Sequence, residues 1–337
     1  MKRSLLQYLC CPGCKGTLKI EPPDIADVID GLLGCPGCGW QYPVRGGIPR
    51  FVADTTYADS FGLQWNRFAR TQLDSFNGTT ISRDRFVAQT GWGPGSLSGR
   101  LVLDGGCGAG RFAEIALSLG AEVIAIDCSS AVDACADNLR QHSERLHVVQ
   151  ADLYELPFRP GTFDGVYSLG VLQHTPNVCG AFKALAQQVG AGGTLVADVY
   201  LKNWAHMLHP KRVIRPLAAA LPHERLLSIV ARTTPPLLTL AGAVRRLPLF
   251  GEAFRRAVPV ADYTGVYPLT SEQLREWAIL DTFDWYGPRY DKPQTPATFR
   301  NWFTEAGFEV VTVFRAHHLT GRGVRHHLRD TSDAAGR

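Results

Sequence analysis

Four cysteines carry the first chemical signal. Cys11 and Cys14 stand in one Cys-Pro-Gly-Cys run and Cys35 and Cys38 in a second, with twenty residues between the pairs. Each Pro-Gly pair makes a tight turn that points both sulfurs to one side. Two such pairs supply four thiolates for one tetrahedral ion, and a closed four-cysteine zinc site is structural rather than catalytic. Cys10 is spare and could compete as a ligand, but the register favours Cys11. A second signal begins at Leu103 in "LDGGCGAG", where Gly105, Gly106, Gly108 and Gly110 let the backbone turn sharply and approach a ligand closely. Asp127 ends the run "AEVIAID". A carboxylate there can hold both ribose hydroxyls of a nucleoside, or else cap the next helix. His174 lies just after a further run, where a general base could act or a loop could simply be positioned.

These residues need elements to hold them. Leu101 to Leu103 form an apolar run suited to a buried parallel strand. "AEVIAID" reads as a second strand, "LHVVQAD" as a third ending at Asp152, and "GTFDGVYS" as a fourth running through Asp164 to Ser168. "FKALAQQ" then predicts a helix, followed by a Gly-Gly turn and a fifth strand. Alternating strands and helices imply an α/β fold with a parallel sheet and right-handed crossovers. Ligands should sit beyond the carboxyl ends of its strands. Further on, "PATFRNWFTEAGFEVVTVF" predicts a helix with Thr298 near its start and Gly307 past its end, then a strand. The last residues, including His326 and His327, read as a final edge strand and a frayed tail rather than a metal site.

Composition narrows the class. With 337 residues, 45% hydrophobic and 20% charged, the chain can hold one large and one small globular domain. No secretory leader is visible at the N-terminus. The longest uncharged apolar run, Thr233 to Val244, is shorter than the ~18 residues of a spanning helix. A cytoplasmic protein is therefore expected, and nine cysteines there favour metal or buried thiols over disulfides.

Two resemblances follow from these motifs. "LLQYLCCPGCKGTL" with "LGCPGCGWQYPVRGGIPRF", roughly residues 4–52, resembles the small zinc-ribbon family that serves as activating subunits of methyltransferases. The resemblance implies that the closing phrase is a strand and turn covering an apolar face. It also implies that the ribbon's usual partner is the domain that follows. "LDGGCGAG", then "LPF", "TFDGVYS" and "VLQH" in order, resemble class I S-adenosylmethionine-dependent methyltransferases of the ubiquinone/menaquinone and sterol type. That likeness covers about 100–200 and 295–316. The implied fold is a Rossmann-like α/β sheet with a helical insertion, preceded by a zinc ribbon. The implied cofactors are S-adenosyl-L-methionine and structural zinc.

By the same resemblance, Gly106 and Gly108, within the turn from Gly105 to Gly110, line the methionine part. Asp127 holds the ribose, with Cys128 under the adenine. Asp152 reaches the adenine amino group, or serves as a loop cap, with Leu153 beside the ring. Ser168 ends the fourth strand near the methyl. Asp104 is grouped with the cofactor residues, more as a brace for the glycine loop than as a contact. Two departures stand out: "QVGAGG" replaces the family's usual run before the Gly-Gly turn, and the segment after Val199 is greatly expanded. No Asn-Pro-Pro-Tyr stretch follows the fourth strand, which counts against methylation of a planar amino nitrogen.

The expected division is a zinc ribbon over 1–52, a helical connector over 53–99, a methyltransferase domain over 100–200 and 263–325, a basic helical insertion or lid over 201–262, and a tail over 326–337. In the connector, Phe61, Trp65 and Phe68 share one helix face. That helix packs on the next domain, or closes over a cofactor with Tyr57, Gln64 or Arg67 reaching it. Residues 202–256 hold ten Lys and Arg against two Glu, a surplus of eight positive charges that leaves −4 for the rest of a +4 chain. Basic amphipathic helices can roof a site, lie on an anionic membrane or contact RNA phosphates. Aromatic interleaving of the kind that stacks bases is thin here, so nucleic acid is a poor expectation. Tyr286 and Tyr290, with Asp284 and Asp291, either wall the acceptor pocket or pack the lid. The leading expectation is methyl transfer to a small-molecule or lipid-like acceptor, with 202–256 read first as a solvated helical lid and, as the alternative, as a peripheral membrane contact. The alternatives are a tRNA or protein methyltransferase whose ribbon recruits substrate, and a non-catalytic cofactor-binding scaffold.

Overall fold

The structure is a computed structural model that describes residues 1–21, 27–52, 57–203, 211–248, 251–255 and 257–326. The chain opens with a four-stranded antiparallel sheet: β1 (Lys19–Glu21), β2 (Gly31–Gly34), β3 (Gln41–Arg45) and β4 (Ile48–Pro49), paired in that order. Gly46 and Gly47 turn β3 into β4 with φ of 58° and 78°. A side chain would disfavour both conformations, which accounts for the Gly-Gly pair in the closing phrase.

A connector of three helices follows: α1 (Asp59–Arg67), α2 (Asp74–Asn77) and α3 (Ile81–Thr90). The main sheet has seven strands: β5 (Leu101–Gly105), β6 (Glu122–Asp127), β7 (Leu146–Gln150), β8 (Phe163–Ser168), β9 (Val189–Val199), β10 (Phe308–Arg315) and β11 (Leu319–Arg325). Their spatial order is β10-β11-β9-β8-β5-β6-β7. The five strands β5 to β9 are parallel, and β11 runs antiparallel to both its neighbours. The chain winds outward from β5 through β6 to β7, then returns to place β8 on the other side of β5. That reversal is the topological switch point of a Rossmann-like class I methyltransferase sheet, where a ligand crevice opens.

Two strand expectations are corrected. The sheet is mixed rather than wholly parallel, and β11 is an inner strand while β10 takes the edge. Residues 316–318 join β10 to β11, and so short a link forces the pair antiparallel. The strand also carries Gly321 and Gly323, where a Cβ would collide with the Phe303 ring. These glycines let the aromatic cluster of Phe182, Phe299 and Phe303 settle onto the sheet. The departure "QVGAGG" takes the form of a bulge. Val189 pairs with Phe163, pairing resumes only at Thr194 with Gly165, and residues 190–193 loop out between them.

Both faces of the sheet are covered. Leu103, Ile124, Val149 and Val166 point to one face, under α6 (Val178–Gln188) and α11 (Pro296–Glu305). Val102, Val123, Val148 and Tyr167 point to the other, under α3, α4 (Arg111–Ser118) and α5 (Ala131–Asn138). Burial on both sides explains why these strands read as continuous apolar runs. The cap of α11 is Thr295, whose hydroxyl accepts from the Thr298 amide; the start falls a turn earlier than Thr298 because Pro296 fits the first helical position.

The small sheet docks on the large one. Phe51 donates its amide to the Gln150 carbonyl of β7 at 2.7 Å, and Arg50 reaches the Gln150 side chain at 2.8 Å and Asp133 at 2.7 Å. Cys10 donates its amide to Pro157 and Lys15 its ammonium to the Leu156 carbonyl. Leu9, Phe51, Phe158 and Leu153 fall in one apolar cluster. The tail of the closing phrase thus covers the otherwise open edge at β7.

The insertion supplies α7 (Lys211–Ala218), α8 (His223–Arg245) and α9 (Gly251–Arg255). Helix α10 (Ser271–Tyr286), opened by a capping box of Thr270 and Gln273, packs Phe283 and Tyr286 against Leu226 and Val230 of α8. It packs on the helices of the insertion. One sequence expectation is overturned here: α8, with 23 residues, is long and apolar enough by length and composition to cross a membrane. The run Thr233–Val244 already contains Pro235 and Pro236; the helix is longer because it also takes in His223–Arg232, with the apolar Leu226, Leu227, Ile229 and Val230. The tail over 327–337 and residues 204–210 of the insertion lie outside the described residues, though His326 is described.

Candidate active site

A cavity of about 490 Å³ opens at the carboxyl ends of the parallel strands. Its floor is the turn between β5 and α4. There Gly106 and Gly108 have φ of 94° and 51°, a Cβ on Gly106 would strike Val171, and one on Gly108 would come within 3.1 Å of Trp65. The bare backbone is therefore the wall a ligand meets. Gly105 and Gly110 do not line the cavity. A Cβ at Gly105 would meet Leu185 of α6 at 2.7 Å, and one at Gly110 would meet Leu139 at 2.8 Å, so these two glycines bring helices close to the sheet.

Asp127 faces the cavity from the end of β6. One carboxylate oxygen accepts from the Gly108 amide at 3.0 Å, and the other accepts from the Ser129 amide and hydroxyl at 2.8 and 2.7 Å. Burial raises its pKa, and these donors oppose the rise. Cys128 and Leu153 line the same end. Asp152 does not: its carboxylate accepts from the Tyr154 amide at 3.1 Å as a helix cap and from the Tyr57 hydroxyl at 3.4 Å. Ser168 is fully buried and donates to the Gly105 carbonyl at 2.7 Å, tying β8 to β5 instead of facing the cavity.

Asp104 is buried beside Tyr167 and away from the cavity wall, in keeping with a brace rather than a contact. Burial pushes its carboxyl up to about 8. The connector helix α1 closes the opposite wall, with Tyr57, Phe61, Gln64 and Trp65 reaching the cavity while Arg67 does not. Gln64 is 1% exposed, and neither its amide nitrogen nor its oxygen has a partner.

His174 lines the cavity beyond β8. Its Nδ1 lies 2.9 Å from the Tyr290 carbonyl, with Phe61 and Tyr200 rings against it. Tyr290 therefore serves through its backbone; its ring packs on Tyr57 and does not wall the cavity. Tyr286 is buried in the lid, donating its hydroxyl to the Pro259 carbonyl at 3.3 Å. The far half of the cavity is built from residues that sequence reasoning did not reach: Arg85, Arg111, Tyr267, Trp277, Asp281 and His318. Of these, only Arg111 carried a signal, as the side chain following the glycine turn.

In the small domain, the Sγ atoms of Cys11, Cys14, Cys35 and Cys38 all lie within 4.8 Å of one another. Cys11 approaches Cys38 at 3.5 Å and Cys14 approaches Cys35 at 3.4 Å. Four thiolates at ~2.3 Å from one tetrahedral zinc stand close to this spacing, so the donor set fits that ion. Cys10 is buried and is not part of this cluster.

Residues 103–197 match the family described as methyltransferase domain, and residues 2–47 match Trm112p-like protein. The chain carries a methyltransferase domain behind a Trm112p-like domain. A ubiquinone biosynthesis O-methyltransferase of Alkalilimnicola ehrlichii is 34% identical over 120 residues, covering 32% of this chain and 45% of the relative. One from Methylocella silvestris is 29% identical over 168 residues, covering 42% and 62%. The chain thus spans less than two thirds of the length of these relatives. Among solved structures, an S-adenosylmethionine-dependent methyltransferase of Methanococcus maripaludis aligns with a TM-score of 0.44 at 12% identity, covering 83% of this chain and 98% of that one. A Haloferax volcanii complex of a Trm112 methyltransferase activator with a methyltransferase aligns with a TM-score of 0.42 at 13% identity, covering 80% and 99%.

Proposed function

We propose that the chain transfers a methyl group from S-adenosyl-L-methionine to a small-molecule or lipid-like acceptor. The observation that carries this reading is the single cavity that unites the bare Gly106–Gly108 backbone, Asp127, the orphaned Gln64 amide and His174. Gly106, Gly108, Asp127, Cys128 and Leu153 would hold the cofactor, and the unpartnered Gln64 amide offers it a donor and an acceptor. When bound, that cofactor supplies a methyl already activated on a sulfonium.

The chain's task is then to position the acceptor in line and to take its proton. A carbonyl only accepts, so the Tyr290 oxygen fixes the proton of His174 on Nδ1 and leaves Nε2 as the base facing the cavity. Trp65 covers the glycine turn at Gly108 and Phe61 packs on the His174 ring, and together they would keep water away from the reacting atoms.

The Trm112p-like domain acts, in this reading, as a zinc-folded cap held on the same chain. The lid is the membrane-facing part. Val213 and Leu217 are 80% and 78% exposed, and Ile229, Leu240 and Leu247 are also exposed, interspersed with the exposed Arg212, Arg225, Arg232 and Arg246. An apolar face studded with arginine suits an anionic bilayer, from which a lipid-like acceptor reaches the cavity below. The protein is then cytoplasmic and peripheral. The test is transfer of labelled methyl from S-adenosylmethionine into a cell extract divided into organic-soluble and RNA fractions. Label in the organic fraction supports the reading, and label in RNA overturns it.

A further inference from the structure

Arg111 heads α4 directly after the glycine turn, and its side chain crosses into the far half of the cavity. Its guanidinium lies 5.0 Å from the centre of the Phe112 ring and 5.5 Å from that of Trp277. Its hydrogen bonds go to neutral oxygens: Nε donates to the Ser82 hydroxyl at 2.8 Å and Nη1 to the Gln72 amide oxygen at 2.7 Å. No carboxylate among the described residues comes within ion-pair distance of it. The neighbouring cations differ. Arg85 pairs with Asp198 at 3.0 Å, Lys211 pairs with Asp291 at 3.1 Å, and Arg315 stands exposed to solvent.

Asp281, an acid whose charge acts on this guanidinium, is held by other partners. Asp281 accepts from the Gln72 amide nitrogen at 3.2 Å, from the Trp277 indole at 3.1 Å and from the Tyr263 hydroxyl. Gln72 thus stands between the guanidinium and the carboxylate, giving its oxygen to one and its nitrogen to the other. A desolvated charge without a counter-charge is costly. Burial, reinforced by the nearby Arg85, pulls the Arg111 guanidinium down to about 10. The surrounding wall is flat and aromatic: Tyr263 stacks on Tyr267 at 4.9 Å and 17°, and Tyr267 lies 5.2 Å from Trp277.

We propose that the acceptor of this site is a planar ring bearing a carboxylate, which Arg111 binds between Phe112 and Trp277. This rests on the methyltransferase reading and names its substrate class. A guanidinium presents donors in a fork that matches a carboxylate, and the aromatic wall matches a ring face. The cofactor's methionine arm also carries a carboxylate, so the experiment must separate the two sources.

Calorimetry on the full chain does so with S-adenosylhomocysteine, benzoate and the neutral isostere benzamide. The cofactor product should bind wild type and Arg111→Gln alike. Benzoate should bind the product-loaded wild type at least about tenfold more tightly than benzamide, the scale of a charge-assisted hydrogen bond. Arg111→Gln should erase that preference. Gln72→Glu, which offers the guanidinium a carboxylate from the chain itself, should erase it too. Equal binding of benzoate and benzamide by wild type, a comparison that needs no variant, would overturn the assignment. So would a loss of product affinity in Arg111→Gln, which would give the guanidinium to the cofactor. Failure of wild type to bind S-adenosylhomocysteine would instead remove the methyltransferase reading beneath it.

Discussion

His174 holds its Nδ1 2.9 Å from the backbone carbonyl of Tyr290, so a residue 116 positions away occupies one of its two ring nitrogens. If Nε2 is the base, His174→Ala lowers kcat by roughly 10²–10⁴ and leaves S-adenosylhomocysteine affinity unchanged. Steady-state kinetics beside calorimetry measures both. An unchanged kcat would return His174 to loop positioning.

Asp127 is the carboxylate best placed for a nucleoside. Asp127→Ala should weaken S-adenosylhomocysteine binding by roughly 1.5–3 kcal/mol, the scale of hydrogen bonds to a charged group. Because Asp127 also accepts from Gly108 and Ser129, circular dichroism should accompany the calorimetry. Full affinity in a folded variant would refute the ribose assignment.

The cysteine cluster predicts one zinc per purified chain by elemental analysis, and none in Cys14→Ser. Since Leu9 and Phe51 share an apolar cluster with Phe158 of the large domain, metal loss should also lower the melting temperature of the whole chain. Zinc loss with an unaltered melting curve would show the two domains to be uncoupled.

Asp104 gives a pH signature. Its folded pKa of about 8 lies above the value of an unfolded aspartate near ~3.9, so the native state holds a proton that the unfolded chain has released. The contribution is fully present below the unfolded pKa and is lost as pH rises through the folded one. Stability should therefore fall between about pH 4 and 8, by at most ~1.4 kcal/mol for each pH unit from this one site. Asp104→Asn should flatten the slope in urea titrations at pH 5, 6.5 and 8, and an unaltered slope would reject the assignment.

The lid predicts sedimentation with anionic phosphatidylglycerol vesicles that high salt weakens. Replacing Val213 and Leu217 by serine, together with Arg225→Glu and Arg232→Glu, should abolish it while leaving S-adenosylhomocysteine affinity intact. Persistent binding would move the contact elsewhere.

What the sequence disclosed follows from how local each signal is. Strands β5 to β9 are buried on both faces, so their apolar runs stand out. The four cysteines and the glycine turn are short patterns whose spacing is the chemistry. The place of β11 was hidden because pairing with β9 is a long-range choice that no local pattern encodes. Arg232 hid the length of α8, because it ends the uncharged run while the helix continues on its N-terminal side to His223. The half of the cavity away from the glycine turn was the least visible part. Arg85, Arg111, Tyr267, Trp277 and His318 come from separate elements, and no spacing joins them before the fold does. Tyr286 and Tyr290 drew notice through aromatic density, which marks packing as often as a pocket wall.

The hydrogen bond from Phe51 to Gln150 has a consequence for biosynthesis and dilution. A cap on the same polypeptide stays at a high effective concentration however scarce the protein becomes, and its stoichiometry is fixed. It also precedes β7 on the ribosome, where domains form from the N-terminus onward. The strand that would otherwise offer an adhesive edge to neighbouring nascent chains emerges after its own cover has been made. If the four cysteines hold zinc, its loss would loosen that cover, and the metal-free chain should aggregate more readily than the loaded one.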